Sequence, residues 1–303
     1  MFAQNTSALA PVWFIAHGGP MTLHQPEHPA HRHWKKIAAD IRSQQPPLKG
    51  LVFISAHWQA DPSEVSGKDM GVLVNDDESN PLLYDYYGFP QEMYELKLNS
   101  HNPPWLNSLV RETLNSEGLN AVNTQRGIDH GVFIALLAGF GEHGTGLPPM
   151  VQVSLPPQDA QGDDTQDGIR ALRLGRALRA LRSKGIAIVG GGQPVHNLGD
   201  FRHTFRTGEK TTVPYSVPFA QALTAAVCPP SSGTNDRGEP KRWEAAKRLF
   251  QNQYYRGAHP TSEHLLPALV ALGAAQDEEE GKEEFEMNQG PLAWNMYKWG
   301  GSK

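Results

Sequence analysis

Histidine is the residue type in this chain whose number and placement could do chemistry. There are 13 in 303 residues, and several sit in Gly- or Pro-rich turn contexts rather than on helix faces. His17 follows the apolar run Val12 to Ala16 and precedes Gly18-Gly19-Pro20. His57 follows Leu51 to Ser55 and stands between Ala56 and Trp58. His196 follows the apolar stretch Ile186 to Val189 by way of Gly190-Gly191-Gly192-Gln193-Pro194-Val195. Each of the three lies within seven residues of a buried-strand pattern. His264 opens an apolar helical segment beside Glu263. Neutral imidazole is the commonest side-chain ligand for zinc, iron and copper ions, and loops at strand ends let several donors converge on one point. A single histidine after a strand is more often a hydrogen-bonded loop residue. Three with the same placement make convergence on a metal the better account. Glycines beside His17 and before His196 leave room for a ligand, Trp58 can wall a pocket, and the Asn197 amide can fix the His196 ring. The denser group His24, His28, His31 and His33 reads as a surface loop leading into a helix at Trp34.

Other chemistries are poorly supported. One cysteine, Cys228, excludes an internal disulfide framework and a Cys-rich zinc site, and suits a reducing compartment. The Gly190 to Gly192 run completes neither a dinucleotide nor a P-loop spacing. No GxSxG elbow and no HExxH pair occurs.

The elements that must position these side chains follow from hydrophobic period. Val12 to Ala16, Leu51 to Ser55, Met70 to Val74, Met150 to Leu155 and Ile186 to Val189 are expected strands. Trp34 to Arg42, Leu106 to Leu114, Val132 to Ala138, Gly168 to Ser183, Pro218 to Val227, Arg242 to Phe250 and His264 to Ala275 are expected helices, the last with Pro267 in its first turn. Strands alternating with helices predict an α/β fold: a central, mostly parallel or mixed sheet flanked by helices, in one layered domain over residues 1–303. In such sheets functional groups gather beyond the carboxyl ends of the strands. Gln158 to Asp167, Ser231 to Pro240 and the acidic Gln276 to Glu284 are expected to be surface insertions, the last a solvated loop. With 27 Lys and Arg against 32 Asp and Glu, the net charge is -5 and there is no basic block, which argues against nucleic acid or an anionic membrane as partner. Met1 to Pro11 has no leader pattern and no apolar run is long enough to span a bilayer, so a cytoplasmic protein, monomeric or a small homo-oligomer, is expected.

Seven short segments, in order, then form a pattern: His17-Gly18-Gly19-Pro20, Ser55-Ala56-His57-Trp58, Tyr84 to Pro90, Gly127-Ile128-Asp129-His130-Gly131, Pro149 to Leu155, Val195-His196-Asn197-Leu198 and Ser262-Glu263-His264-Leu265-Leu266-Pro267. Together they resemble the class III extradiol ring-cleavage dioxygenases, and within them the DOPA dioxygenase branch. The resemblance implies a non-haem metal, Fe(II) in the active form, held by His17, His57 and the Glu263-His264 pair, with His264 preferred over Glu263. It implies that His196 is the acid/base histidine or a fourth ligand, and that His130 orients substrate or oxygen. The substrates would be a small aromatic diol and O2, and Zn(II) would be a substitute metal. A zinc-dependent hydrolase and a non-catalytic metal-binding protein on the same scaffold are the alternatives. The chain departs from the pattern at Gly19, where the family often has Ser, and in its insertions near Ser231 and Gln276.

Overall fold

The computed structural model describes residues 9–207, 213–231, 233–236 and 238–301. The amino-terminal segment read as lacking a leader lies mostly outside them, as do two residues of the Ser231 to Pro240 insertion. The strands are β1 (Val12–Ala16), β2 (Gly50–Gln59), β3 (Gly71–Asn75), β4 (Asn120–Thr124), β5 (Met150–Leu155), β6 (Ile186–Gly192), β7 (Val195–His196), β8 (Gly281–Phe285), β9 (Asn288–Gln289), β10 (Leu292–Ala293) and β11 (Met296–Trp299). The helices are α1 (Pro29–Ser43), α2 (Pro104–Ser116), α3 (His130–Phe140), α4 (Asp164–Leu178), α5 (Leu198–Thr207), α6 (Ser216–Val227), α7 (Arg242–Arg248), α8 (Tyr255–Ala258) and α9 (Leu266–Ala274).

Eight strands make one sheet in the order β4-β3-β5-β2-β6-β1-β11-β8. Its centre, β5-β2-β6-β1, is parallel, while β3 meets β5 and β11 meets β1 and β8 antiparallel. The expected mixed α/β sheet is therefore present. Strands covered on both faces need apolar side chains on both, which is why β1, β5 and β6 read as unbroken buried runs. Alternate residues point to opposite faces. Val12, Phe14, Val52, Ile54, Val151, Val153, Ile186 and Ile188 join one core with residues of α2, α4, α6 and α9. Trp13, Ile15, Leu51, Phe53, Met150, Ala187 and Val189 join the other with residues of α1 and α3. Helix α1 shows how spacing sets this: Ala30, Trp34, Ile37, Ala38 and Ile41 recur every three or four residues and are buried.

Several expectations are corrected. Strand β2 runs on to Gln59, so His57 lies inside it, where its register with β5 slips between Ile54 and Gln59. Gly190 to Gly192 are the last residues of β6, paired with Phe14, Ile15 and Ala16, and not a turn. His264 lies in a turn two residues before α9, which begins at Leu266. The histidine-rich stretch is an exposed loop only from His24 to Glu27. His28 caps α1 by accepting from the Ala30 N–H, and His31 and His33 are buried within the helix. Gln158 to Asp167 lies mostly at the surface, as expected, but it is tied down: Asp163 caps α4, which starts four residues before the expected Gly168, and Asp159, Asp164 and Asp167 are buried. The acidic Gln276 to Glu284 run is no free loop. Asp277 pairs with Arg179 at 2.8 Å, Glu279 pairs with the buried Arg182 at 2.6 Å, and the run ends in edge strand β8. Among the described residues no helix is long and apolar enough to cross a membrane.

Candidate metal centre

Strands β1, β2 and β6 end side by side, with Ala16 opposite Gly192 and Ser55 opposite Gly191. His17 leaves β1 at this edge with its N–H on the Gly192 carbonyl at 3.2 Å, and His57 stands on the irregular end of β2. His264 comes from the turn before α9 and meets both. Ring centroids are 4.9 Å apart for His17 and His57, 5.4 Å for His17 and His264, and 5.0 Å for His57 and His264. One ring nitrogen of each lies within 4.8 Å of the other two.

The two nitrogens of each ring have different surroundings. His17 Nδ1 lies 2.7 Å from the Gly18 carbonyl, His264 Nδ1 lies 2.9 Å from Glu263 Oε1, and His57 Nδ1 lies 3.4 Å from Asp85 Oδ2. A neutral imidazole has one N–H and one lone pair. Acceptors beside Nδ1 put the proton there and leave the lone pair on Nε2. All three Nε2 atoms are buried and have no hydrogen-bond partner among the described residues. One orphaned buried acceptor costs about 1–3 kcal/mol. Three of them facing one point fit a divalent cation as their common partner. Burial, and then the charge of neighbouring histidines, pushes His17 and His264 well below the usual histidine range. Burial and then His130 push His57 down to about 4. At neutral pH no proton competes for the three lone pairs.

Two further histidines adjoin them. The His130 ring is 4.0 Å from that of His57 and 5.6 Å from that of His17. His196 stacks on His264 with centroids 3.5 Å apart and planes 12° from parallel. A ring nitrogen of His196 falls in a second group of possible donor atoms with Glu263 and His264. Burial, then His259, lowers His196 to about 3, so it is neutral at pH 7. Glu263 is not in the group with His17 and His57: its Oε1 faces His264 Nδ1 and accepts from Thr261 Oγ1 at 2.9 Å.

The surrounding elements fix these positions. Trp34 of α1 donates to the Ala16 carbonyl at 2.9 Å, just before His17. Gly18 has φ +65°, and a Cβ there would meet the Trp294 ring at 2.7 Å, so the space its hydrogen leaves is taken by Trp294 and not by a ligand. The backbone of His57 is held on both sides: its N–H donates to Ser55 Oγ at 3.1 Å and its carbonyl accepts from Arg126 Nη2 at 3.2 Å. Both of those groups converge on Asp129, which is fully buried and accepts from Ser55 at 2.6 Å, Arg126 at 3.0 Å and Gln152 at 2.6 Å. The glycines ending β6 allow close packing. A Cβ at Gly191 would sit 2.6 Å from the Gly131 carbonyl, and one at Gly192 would press on the His264 carbonyl. Trp58 does not wall the site. It packs with Ala60, Val65 and Leu73 under the Arg126 guanidinium. Nor does Asn197 hold His196: its amide donates to Gly257 O at 2.9 Å and its oxygen accepts from the Asp200 N–H.

A sequence profile for the catalytic LigB subunit of aromatic ring-opening dioxygenases matches residues 11–297. The chain belongs to this LigB family. Its members are metal-dependent dioxygenases, and the histidine cluster is a possible metal site. The LigB chain is 28% identical to a 4,5-DOPA dioxygenase extradiol of Beta vulgaris, over 95% of both chains. It is 31% identical to the dioxygenase tasH of Hapsidospora irregularis, over 99% of this chain and 88% of that one. A crystal structure of an uncharacterized protein of Escherichia coli K12 shares its fold, with a TM-score of 0.67 and 22% identity over 95% of this chain and 99% of that one.

The LigB fold thus gathers His17, His57, His130, His196 and His264 from five separate segments. It leaves out His24, whose Nε2 lies 3.0 Å from the Met93 sulfur, and His31 and His33 in α1. Asp85, Asp129 and Ser55 were not singled out by type or spacing. Their only signal was that all three fall in segments carrying the family resemblance.

Proposed function

We propose that this LigB protein is an Fe(II)-dependent extradiol dioxygenase that opens the ring of a small catechol with O2. One observation carries the metal assignment: three imidazoles, each with an acceptor beside Nδ1 and a buried, unpartnered Nε2, bring ring nitrogens within 4.8 Å of one another. His17, His57 and His264 would hold the metal, with Glu263 behind His264. Fe(II), when bound, supplies charge that lowers catechol hydroxyl pKa values and the redox capacity that Zn(II) lacks.

The chain's own groups do the rest. His196 is neutral at pH 7 and only half-buried, and it lies against a proposed ligand. It can take a hydroxyl proton at a ring nitrogen. A catecholate beside it strengthens that nitrogen as a base, since a nearby negative charge favours the protonated ring. The imidazolium so formed is held next to the reacting ring and can return the proton. His130 orients the bound diol by hydrogen bonding. Trp294, packed over Gly18, and the tight seam between β6 and the His264 turn keep water from the protein side of the centre. The single thiol, Cys228, is free, in keeping with a cytoplasmic enzyme.

The test is anaerobic loading with Fe(II), followed by oxygen uptake against a panel of catechols. Oxygen consumption in step with a yellow ring-opened product is expected. A zinc form that hydrolyses esters as fast as any iron form consumes oxygen would replace this reading with a hydrolase.

A further inference from the structure

We infer that Asp85 is the positioning residue of the centre: one carboxylate that sets the tautomer of two histidines at once. The inference rests on the metal-centre reading above for its consequence, though its geometry stands alone. Asp85 Oδ1 lies 2.8 Å from His130 Nδ1 and accepts the His130 backbone N–H at 3.0 Å. Its Oδ2 lies 3.4 Å from His57 Nδ1. An ionised carboxylate only accepts, so at 2.8 Å the His130 ring must turn an N–H toward it, and the longer 3.4 Å contact favours an N–H on His57 Nδ1 as well.

The carboxylate is fixed in place. The Leu82 to Asp85 segment is bridged to Ile128, with the Leu83 N–H on the Ile128 carbonyl at 2.8 Å and the Ile128 N–H on the Pro81 carbonyl at 2.8 Å. On either side of Asp85, Tyr84 donates to Leu96 O at 2.7 Å and Tyr86 donates to Met93 O at 2.6 Å. Asp129, the residue at the N-cap of α3, makes no side-chain cap because its carboxylate is taken by Ser55, Arg126 and Gln152. Asp85 supplies the missing acceptor for that helix from a distant loop. Both tautomers follow from this one side chain. His57 keeps its Nε2 lone pair for the metal, and His130 keeps its Nε2 as an acceptor, so His130 takes a hydrogen bond from a substrate hydroxyl and does not give one.

Two measurements test this without turnover. In the metal-free wild-type protein, nitrogen-15 NMR of the imidazoles should show the Nδ1–H tautomer for both His57 and His130. In Asp85→Asn the amide oxygen can still accept from the His130 N–H, so the melting temperature should stay close to wild type. The amide NH2 then faces His57 and favours the wrong tautomer. Its affinity for Zn(II), measured by competition with a chromogenic chelator, should fall about 10–100-fold, the usual effect of losing an outer partner of a ligand histidine. An Nε2–H tautomer on either wild-type ring overturns the inference, as does wild-type Zn(II) affinity in a folded Asp85→Asn protein. If the variant does not fold, the wild-type tautomers decide. A wild-type protein that binds Zn(II) but consumes no oxygen with any catechol would sink the dioxygenase proposal and leave Asp85 standing.

Discussion

At the centre each histidine is specified by the partner of its Nδ1 as much as by its own position. One backbone carbonyl, Gly18 O, and two carboxylates, Asp85 and Glu263, stand beside the three Nδ1 atoms, and each leaves a lone pair on the other ring nitrogen. His196 has a different environment: it stacks on His264 and is only half-buried. The two kinds of residue should therefore respond differently to truncation. His17→Ala and His57→Ala are expected to lose both metal and activity, since each removes one of three protein donors. His196→Ala is expected to keep most of its metal while turnover falls about 10²–10⁴-fold, the range for a positioned acid/base group. Metal content of the purified proteins decides. Equal loss in His196→Ala and His17→Ala would make His196 a fourth ligand and end its acid/base assignment.

Among the elements, the link between the two ends of the chain depends on a buried charge. Arg182 is wholly buried and closes the turn between α4 and β6. It donates to Ala10 O at 2.6 Å and Ala274 O at 3.0 Å, and grips Glu279 through both terminal nitrogens at 2.6 Å. These contacts join the entry to β1, the carboxyl end of α9 and the approach to β8. Arg242 adds four further backbone carbonyls, those of Leu272, Ala275, Gln276 and Glu279. An acidic run looks like solvated chain until such cations are seen beneath it. Arg182→Met keeps the apolar stem but leaves two carbonyls without a donor and Glu279, which also accepts from the Gln276 N–H at 2.7 Å, without its cation. It should cost about 3–5 kcal/mol, the range for breaking one side of a buried pair. Urea unfolding reads this directly, and a midpoint unchanged from wild type would contradict it.

Over the whole molecule, buried neutral histidines make stability depend on pH. Burial, then the Lys36 charge, lowers His33 to about 4, and burial lowers His259 to about 4. In the unfolded chain both titrate near 6.5. Between roughly pH 6.5 and 4 the unfolded chain holds protons the folded one does not, so stability falls as pH falls. The contribution of these groups is fully present above about pH 6.5 and is lost as pH drops toward 4, at up to about 1.4 kcal/mol per pH unit for each group. His33 stacks on Phe285 at 5.1 Å, so His33→Phe keeps a ring there and removes one titration. Metal-free His33→Phe should lose less stability between pH 7 and pH 5 than the metal-free wild type. Parallel curves for the two would show that His33 does not titrate on unfolding.

The sequence by itself determined the buried centre of the sheet, because strands covered on both faces are mostly apolar, with buried polar exceptions such as Gln152 and Ser154 taken up by hydrogen bonds. It determined the amphipathic face of α1, because 3.6-residue spacing is local. It also marked His17, His57 and His196, because apolar strand runs are legible in one dimension and each histidine follows one closely. Edge strands β4 and β8 were not legible: one is half polar, the other acidic, and their pairing comes from neighbours distant in sequence. Only the tertiary structure decided that His264, and not Glu263, faces His17 and His57, since adjacent residues differ in direction and direction depends on how the turn packs against Gly192. Only it put His31 and His33 in the core, showed the glycine run to be a packing seam, and brought Asp85 from a tyrosine-rich loop to within reach of two histidines. A hydrogen bond across 45 residues leaves no periodic trace in the chain.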